Sequence, residues 1–190
     1  MNVYQPVEDS YLLAKTLNFF LKSKEKSIKI LDLGSGSGIQ AEICRKQGFK
    51  DILTSDINEE AIKCLIKKKF KSIKSNLFEK IQGKFDLILF NPPYLPEDKR
   101  EPLGSKISTT GGKKGYELIL KFLEQSKNHL NDSGQIIFLI SSLTHPKIII
   151  KKAKDLGYEI QQMNKKELFF ESLFVYICCK KSINNIDKRP

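Results

Sequence analysis

The stretch that decides the fold is Ile28-Lys29-Ile30-Leu31-Asp32-Leu33-Gly34-Ser35-Gly36-Ser37-Gly38-Ile39. Ile28, Ile30, Leu31 and Leu33 form an apolar run of strand length, and three alternate glycines follow before a helical pattern begins near Ile39. Glycines at such a turn admit positive φ and let the backbone approach a ligand, while the helix beyond offers unpaired N–H groups. A dinucleotide fingerprint needs Gly-x-Gly-x-x-Gly, and a phosphate loop needs Gly-Lys-Ser or Gly-Lys-Thr. Neither is present. The turn opens instead on Asp32, an acid that repels phosphate and can accept hydrogen bonds from an ammonium group.

Downstream, the run Ile52 to Ile57 reads as a second strand and carries Asp56, 20 positions after Gly36, with Asn58 heading the next helix. That spacing suits a carboxylate that holds ribose hydroxyls. A ligand with a ribose, an amino-acid end and no phosphate meets both conditions, and S-adenosylmethionine is such a molecule. The helix Glu59 to Lys69 leads to a short strand around Ser72 to Lys74, followed by Asn76-Leu77. Lys69, Lys71 and Lys74 place that strand at a sheet edge, where lysines discourage a second chain from pairing.

The next strand, Phe85 to Phe90, stops on Asn91-Pro92-Pro93-Tyr94. Prolines carry no N–H and hold the preceding residue extended, so the ladder ends and the chain leaves the sheet. The Asn91 side-chain oxygen and the Pro92 carbonyl are acceptors beside the Tyr94 ring, a set suited to a planar amino group on an amide or a nucleobase. A plain proline loop is the alternative. From Leu95 to Gly115 the chain is rich in Pro, Gly, Ser and Thr, and a loop of that length is usually functional or mobile. Gly111-Gly112-Lys113-Lys114-Gly115 reads as a flexible hinge ahead of a helix Tyr116–Leu130, with phosphate binding as the alternative.

Upstream, Tyr4-Gln5-Pro6-Val7-Glu8-Asp9-Ser10 leads into a helix carrying Leu12, Leu13, Leu17, Phe20 and Leu21. Asp9 or Ser10 is the natural N-cap, and a wall of the ligand site is the functional alternative. The remainder alternates: a turn at Asn131-Asp132-Ser133-Gly134, strand Gln135–Ile140, helix Lys147–Leu156 behind Pro146, and strands Tyr158–Met163 and Leu173–Cys179. This rhythm predicts a single-domain Rossmann-like α/β fold, a mostly parallel seven-stranded sheet with helices on both faces and one antiparallel strand at the far side. Ligands in such sheets bind at the carboxyl ends of the strands, where Asp32, Asp56, Asn76 and Asn91 all fall.

At 190 residues the chain fits one domain, expected over 1–180 with a basic tail at 181–190. It lacks a signal-peptide pattern or an apolar run of about 18 residues, so a soluble cytoplasmic protein without membrane contact is expected. Cys44, Cys64, Cys178 and Cys179 have no Cys-x-x-Cys spacing, so neither a disulfide framework nor a bound metal is expected. The net charge of +11 favours acidic partners such as RNA or the ribosome, although its lysine runs also read as solvated faces.

Taken together, the lead-in Tyr4-x-Pro6-x-Glu8-Asp9-Ser10, the Asp32–Gly38 turn, Asp56-Ile57-Asn58, Asn91-Pro92-Pro93-Tyr94, Gly111-Gly112-x-x-Gly115 and Glu171-Ser172-Leu173 make the chain resemble the HemK-type protein glutamine methyltransferases of the short archaeal and eukaryotic form. These are class I S-adenosylmethionine-dependent enzymes. The resemblance implies methylation of the glutamine amide in the Gly-Gly-Gln loop of a translation release factor. It further implies that Ser10 and Gly34, with Asp32 and Gly36 beside them, hold the methionine end, that Asp56 holds the ribose, and that Asn76 and Leu77 flank the adenine. The family usually has aspartate where Asn76 stands, and an asparagine oxygen still accepts from an adenine amino group. Short members often work with a small zinc-binding activator protein. Asn91, Pro92, Pro93 and Tyr94 are the substrate side, with Asn91, Pro92 and Tyr94 expected to carry catalysis and Asn91 also expected to touch the cofactor. An adenine or guanine amino-group methyltransferase acting on RNA or DNA uses the same acceptor logic and is the rival reading; a non-catalytic binding protein is the other.

Overall fold

The apolar run after Lys29 folds as β1 (Ile30–Leu33), buried at every position. Burial at every position requires a strand covered on both faces and paired along both edges, and a computed structural model, which describes residues 3–98, 100–102, 106 and 108–181, supplies both. β1 pairs in parallel with β2 (Ile52–Asp56) and β4 (Phe85–Phe90), and β3 (Lys71–Lys74) pairs in parallel with β2 at the edge. On the other side β7 (Leu130–Ser141) runs parallel to β4. β9 (Ser172–Lys180) is antiparallel to β7, and β8 (Tyr158–Glu167) closes the sheet antiparallel to β9. The order is β3-β2-β1-β4-β7-β9-β8. The antiparallel strand therefore lies one place in from the far edge.

Helices cover both faces. α1 (Glu8–Phe20), α2 (Ile39–Lys46) and α3 (Glu59–Lys67) bury Leu13, Leu17, Cys44 and Leu65 in one apolar cluster, and α4 (Glu117–His129) and α5 (Pro146–Asp155) bury Phe122 and Ile149 in another. β7 feeds both by the two-residue strand period: Ile136, Phe138 and Ile140 go to the α4 side, Ile137 and Leu139 to the α1 side. Phe122 is fully buried, with its ring centroid 4.5 Å from that of Phe90. Truncating such a ring costs about 3–5 kcal/mol. Since Phe90 immediately precedes Asn91, this packing also anchors the end of β4.

Three local expectations change. α1 starts at Glu8 with Val7 as a cap that makes no side-chain bond, so Asp9 and Ser10 are not caps; they lie inside the first turn and are buried. Residues 131–134 do not form a free turn but a bulge within β7, where Phe85 faces Leu130 and Leu87 faces Gln135. Gly111 to Gly115 is not a hinge. β5 (Leu95–Pro96) pairs with β6 (Thr110–Gly112), and a Cβ on Gly111 would stand 2.7 Å from the Pro93 carbonyl oxygen. A Cβ on Gly115 would stand 2.5 Å from that of Tyr94. Glycine is required there because two backbones abut. Among the described residues no helix is long and apolar enough to cross a membrane. Residues 182–190 of the expected tail lie outside the described residues.

Candidate active site

Parallel register brings the ends of β1, β2, β3 and β4 to one edge, and the turns that follow them enclose a cavity of about 280 Å³. Ser10, Asp32, Gly34, Gly36, Asp56, Asn76, Leu77, Asn91, Pro92, Pro93 and Tyr94 all line it. Residues separated by more than eighty positions in sequence thus share one wall, which is what a doubly wound sheet does at its carboxyl edge.

One half of the cavity is acidic. Asp32 is 1% exposed, and its Oδ2 accepts from the Ala41 N–H at 3.1 Å. Burial pushes its pKa up to about 7, against the opposing pull of that N–H and with the charge of Asp56 adding to the rise. Asp56 is also raised, by burial first, although its two oxygens accept from the N–H groups of Gly36 and Asn58, each at 2.8 Å. Each of those oxygens keeps a further lone pair for a diol. Gly34, Gly36 and Gly38 all take positive φ, and the turn they form lines the cavity through Gly34, Ser35, Gly36 and Ser37. At the far end, the Asn76 amide donates to Glu79 at 2.7 Å, and Ser75 holds the Leu77 carbonyl at 3.0 Å. Leu77 sits at φ +48°, buried against the same wall.

The other half is built on Asn91. Ser10 spends its hydroxyl proton on Asp9 Oδ1 at 3.0 Å, so its oxygen is left to accept from Asn91 Nδ2 at 3.4 Å. That orients the Asn91 amide. Its Oδ1 remains a buried acceptor without a hydrogen-bond partner among the described residues. Such an atom costs about 1–3 kcal/mol of desolvation until a donor arrives. Asp9 is held in turn by the Ser10 N–H and by the Tyr4 hydroxyl, the latter at 3.1 Å. Burial, together with the charges of Asp9 and Glu171, raises the Tyr94 phenol far above its usual value, which keeps the ring neutral.

Gln40, whose amide donates to the Ser10 carbonyl at 3.1 Å, and Tyr4, quoted only within the lead-in motif, are site residues given no role from the sequence, while Asp9 had the wall of the site only as its alternative reading. The available signal was an acid followed by serine at a helix start, and it reads as capping until tertiary packing buries it. Thr109 and Thr110 also line the cavity, and both donate to Glu101. Among the described residues no group of His, Cys, Asp and Glu is clustered to hold a metal ion.

A family profile described as a methyltransferase domain matches residues 7–168. A Methanocaldococcus jannaschii protein, provisionally named a protein N5-glutamine methyltransferase, is 40% identical over 182 residues, covering 91% of this chain and 89% of its own. Human methyltransferase HEMK2 is 27% identical over 83% of this chain and 80% of its own. Among solved structures, the E. cuniculi Mtq2-Trm112 complex, described as responsible for the methylation of the eRF1 translation termination factor, matches at a TM-score of 0.78 and 25% identity, over 95% of this chain and 100% of that one. Buried acids in β1 and β2, an amide acceptor at the end of β4 and these matches converge: the chain belongs to the HemK-type protein glutamine methyltransferases, within the S-adenosylmethionine-dependent methyltransferase fold.

Proposed function

We propose that the protein transfers the methyl group of S-adenosylmethionine to the side-chain amide nitrogen of a glutamine in the Gly-Gly-Gln loop of a translation release factor. The observation that carries this reading is the buried, unpartnered Asn91 Oδ1 beside Ser10. The cavity's donor set fits the cofactor: Asp32 and Asp56 offer carboxylates, Gly34 and Gly36 offer backbone, and no phosphate is called for. In this reading Ser10, Asp32, Gly34 and Gly36 hold the methionine end, Asp56 the ribose diol, and Asn76 and Leu77 the adenine. When bound, the cofactor supplies an electrophilic methyl on a sulfonium that departs as a neutral thioether.

The chain's own residues supply positioning. An amide nitrogen is a poor nucleophile because its lone pair is delocalised into the carbonyl. Asn91 Oδ1 and the Pro92 carbonyl accept the two amide hydrogens, which turns the nitrogen toward the methyl and stabilises positive charge as it develops. Tyr94 stacks on the amide plane, and Pro93 keeps the turn rigid. The proton stays on the nitrogen, hydrogen-bonded to one of these acceptors, while the N–C bond forms, and then leaves to solvent water. The Asp9–Ser10 pair keeps the Asn91 amide from rotating.

A small activator subunit belongs to this reading, since the matched Mtq2 is seen with Trm112. The edge strand β3 is where a partner could pair, with Lys74 already neutralised by Glu59 at 2.9 Å. The test is incubation with methyl-labelled cofactor and, separately, a release factor, total RNA and DNA, with and without a zinc-binding activator. Label on the release factor is expected; label on nucleic acid alone overturns the reading.

A further inference from the structure

The hairpin joining β8 to β9 ends in Leu168-Phe169-Phe170-Glu171. Phe169 and Phe170 are 93% and 86% exposed, and their rings meet edge to face with centroids 4.6 Å apart. Two large rings in water contribute nothing to either core cluster, and adjacent exposed aromatics mark interaction sites rather than folding needs. Their position gives them a use. β9 is antiparallel, so Leu173 pairs with Ser141 at the carboxyl end of β7, and the tip lies on the edge that carries the cavity. Its base is held on two sides: Lys166 ion-pairs with Glu8, the neighbour in α1 of the cavity-lining Asp9, and the Ser172 N–H donates to Ser142 at 3.0 Å. Glu171, at the base of the tip, accepts from Ser141, and its charge reaches Tyr4 and Tyr94.

We infer that the Phe169–Phe170 tip is a docking surface for the protein substrate, seating an apolar patch of the folded release factor that lies outside the loop bearing the acceptor glutamine. This rests on the function proposed above and adds where the substrate's binding energy comes from. A cavity of about 280 Å³ accommodates a cofactor and little more, so recognition of a protein must come from outside it. Aromatic anchors are the side chains that supply such energy. Charge selects protein over nucleic acid at this place. The tip's lysines, Lys165 and Lys166, are each paired, with Glu167 and Glu8, while Asp9 and Glu171 add negative charge at the mouth. A phosphate backbone would be repelled there, whereas an apolar protein face would not.

The test compares the wild type with F169S/F170S on a whole release factor and on a short peptide spanning its Gly-Gly-Gln loop. The expected result is a KM for the whole factor raised about tenfold or more, equivalent to about 1.4 kcal/mol, with kcat, cofactor affinity and peptide turnover within about twofold. F169Y/F170Y, which keeps both rings, should restore the KM. If the double change weakens cofactor binding, Phe169→Ser alone gives the reading, with a rise of about threefold supporting docking and an unchanged KM overturning it. Unchanged KM in the double variant overturns the inference alone. Loss of RNA binding in the variant with whole-factor KM intact also overturns it, in favour of base stacking. Failure of the wild type to methylate either substrate overturns the functional reading itself, and this inference with it.

Discussion

The proposed site sets the cofactor's ammonium beside Asp32, and cofactor affinity is then expected to depend on pH. The carboxyl is buried, and burial raises its pKa from 3.8 to about 7. An ammonium placed beside it favours the ionised form, so binding must deprotonate whatever fraction of Asp32 is neutral. With a pKa of about 7, the ionised fraction rises from about 3% at pH 5.5 to about half at pH 7.0, so affinity should rise about fifteenfold across that interval. The window stays below the range in which the ligand's own α-amino group deprotonates, at about 7.7–8.0. Titration calorimetry in two buffers of different ionisation enthalpy should show proton release on binding that declines as pH approaches 7. Asp32→Asn should bind more weakly and without the slope. The stability of the unliganded protein moves the other way. A raised carboxyl contributes stability that is full below the unfolded pKa of 3.8 and is lost as pH rises through about 7. The loss is about 4 kcal/mol from this group, and urea melts of Asp32→Asn should no longer show it. A dissociation constant flat between pH 5.5 and 7.0, or a variant that keeps the wild-type slope, would refute the assignment of the ammonium end to Asp32.

Other substitutions separate the two halves of the cavity. Asn91→Ala should lower kcat by about a thousandfold or more while leaving cofactor affinity within about threefold, because it removes an acceptor aimed at the transition state. Asp9→Asn gives Ser10 a partner that can donate as well as accept, so the Asn91 amide loses its fixed orientation; stopped single turnovers should slow about 10- to 100-fold. Gly111→Ala forces a Cβ to 2.3 Å from the Gly115 carbonyl oxygen, and thermal melts should show a loss of about 2 kcal/mol or more, with reduced turnover as the Asn91–Tyr94 segment shifts.

The parts legible in the sequence were those written in local backbone chemistry. Gly34, Gly36 and Gly38 after an apolar run, and Pro92-Pro93 after another, announce chain turns wherever they occur, and alternating strand and helix periods then dictate a parallel sheet that gathers those turns at one edge. Asp32, Asp56, Asn76 and Asn91 could be placed together for that reason. What depended on residues distant in sequence could not be read. Asp9-Ser10 has the composition of a cap, and only the packing of α1 over β7, β8 and β9, which brings Ser10 to the residue after β4, makes it a clamp on Asn91. Gly111-Gly112-x-x-Gly115 has the composition of a hinge, and only the close backbone of Pro93 and Tyr94 explains its glycines. Gln135 opens the regular part of β7, but the bulge before it follows from a mismatch with β4 that no single-strand pattern contains. Phe169 and Phe170 look like two more core aromatics until the β8–β9 turn leaves them outside.

In the proposed reaction Asn91 and Pro92 present a protein glutamine amide to an activated methyl group, and mapping the product decides it: the protein, S-adenosylmethionine and a release factor are incubated together, and the factor is digested and sequenced by tandem mass spectrometry. One methyl group is expected on the side-chain nitrogen of the glutamine in the Gly-Gly-Gln loop, absent when Asn91→Ala replaces the wild type. A methyl group on any other residue, or none on the factor while RNA or DNA becomes labelled, would contradict it.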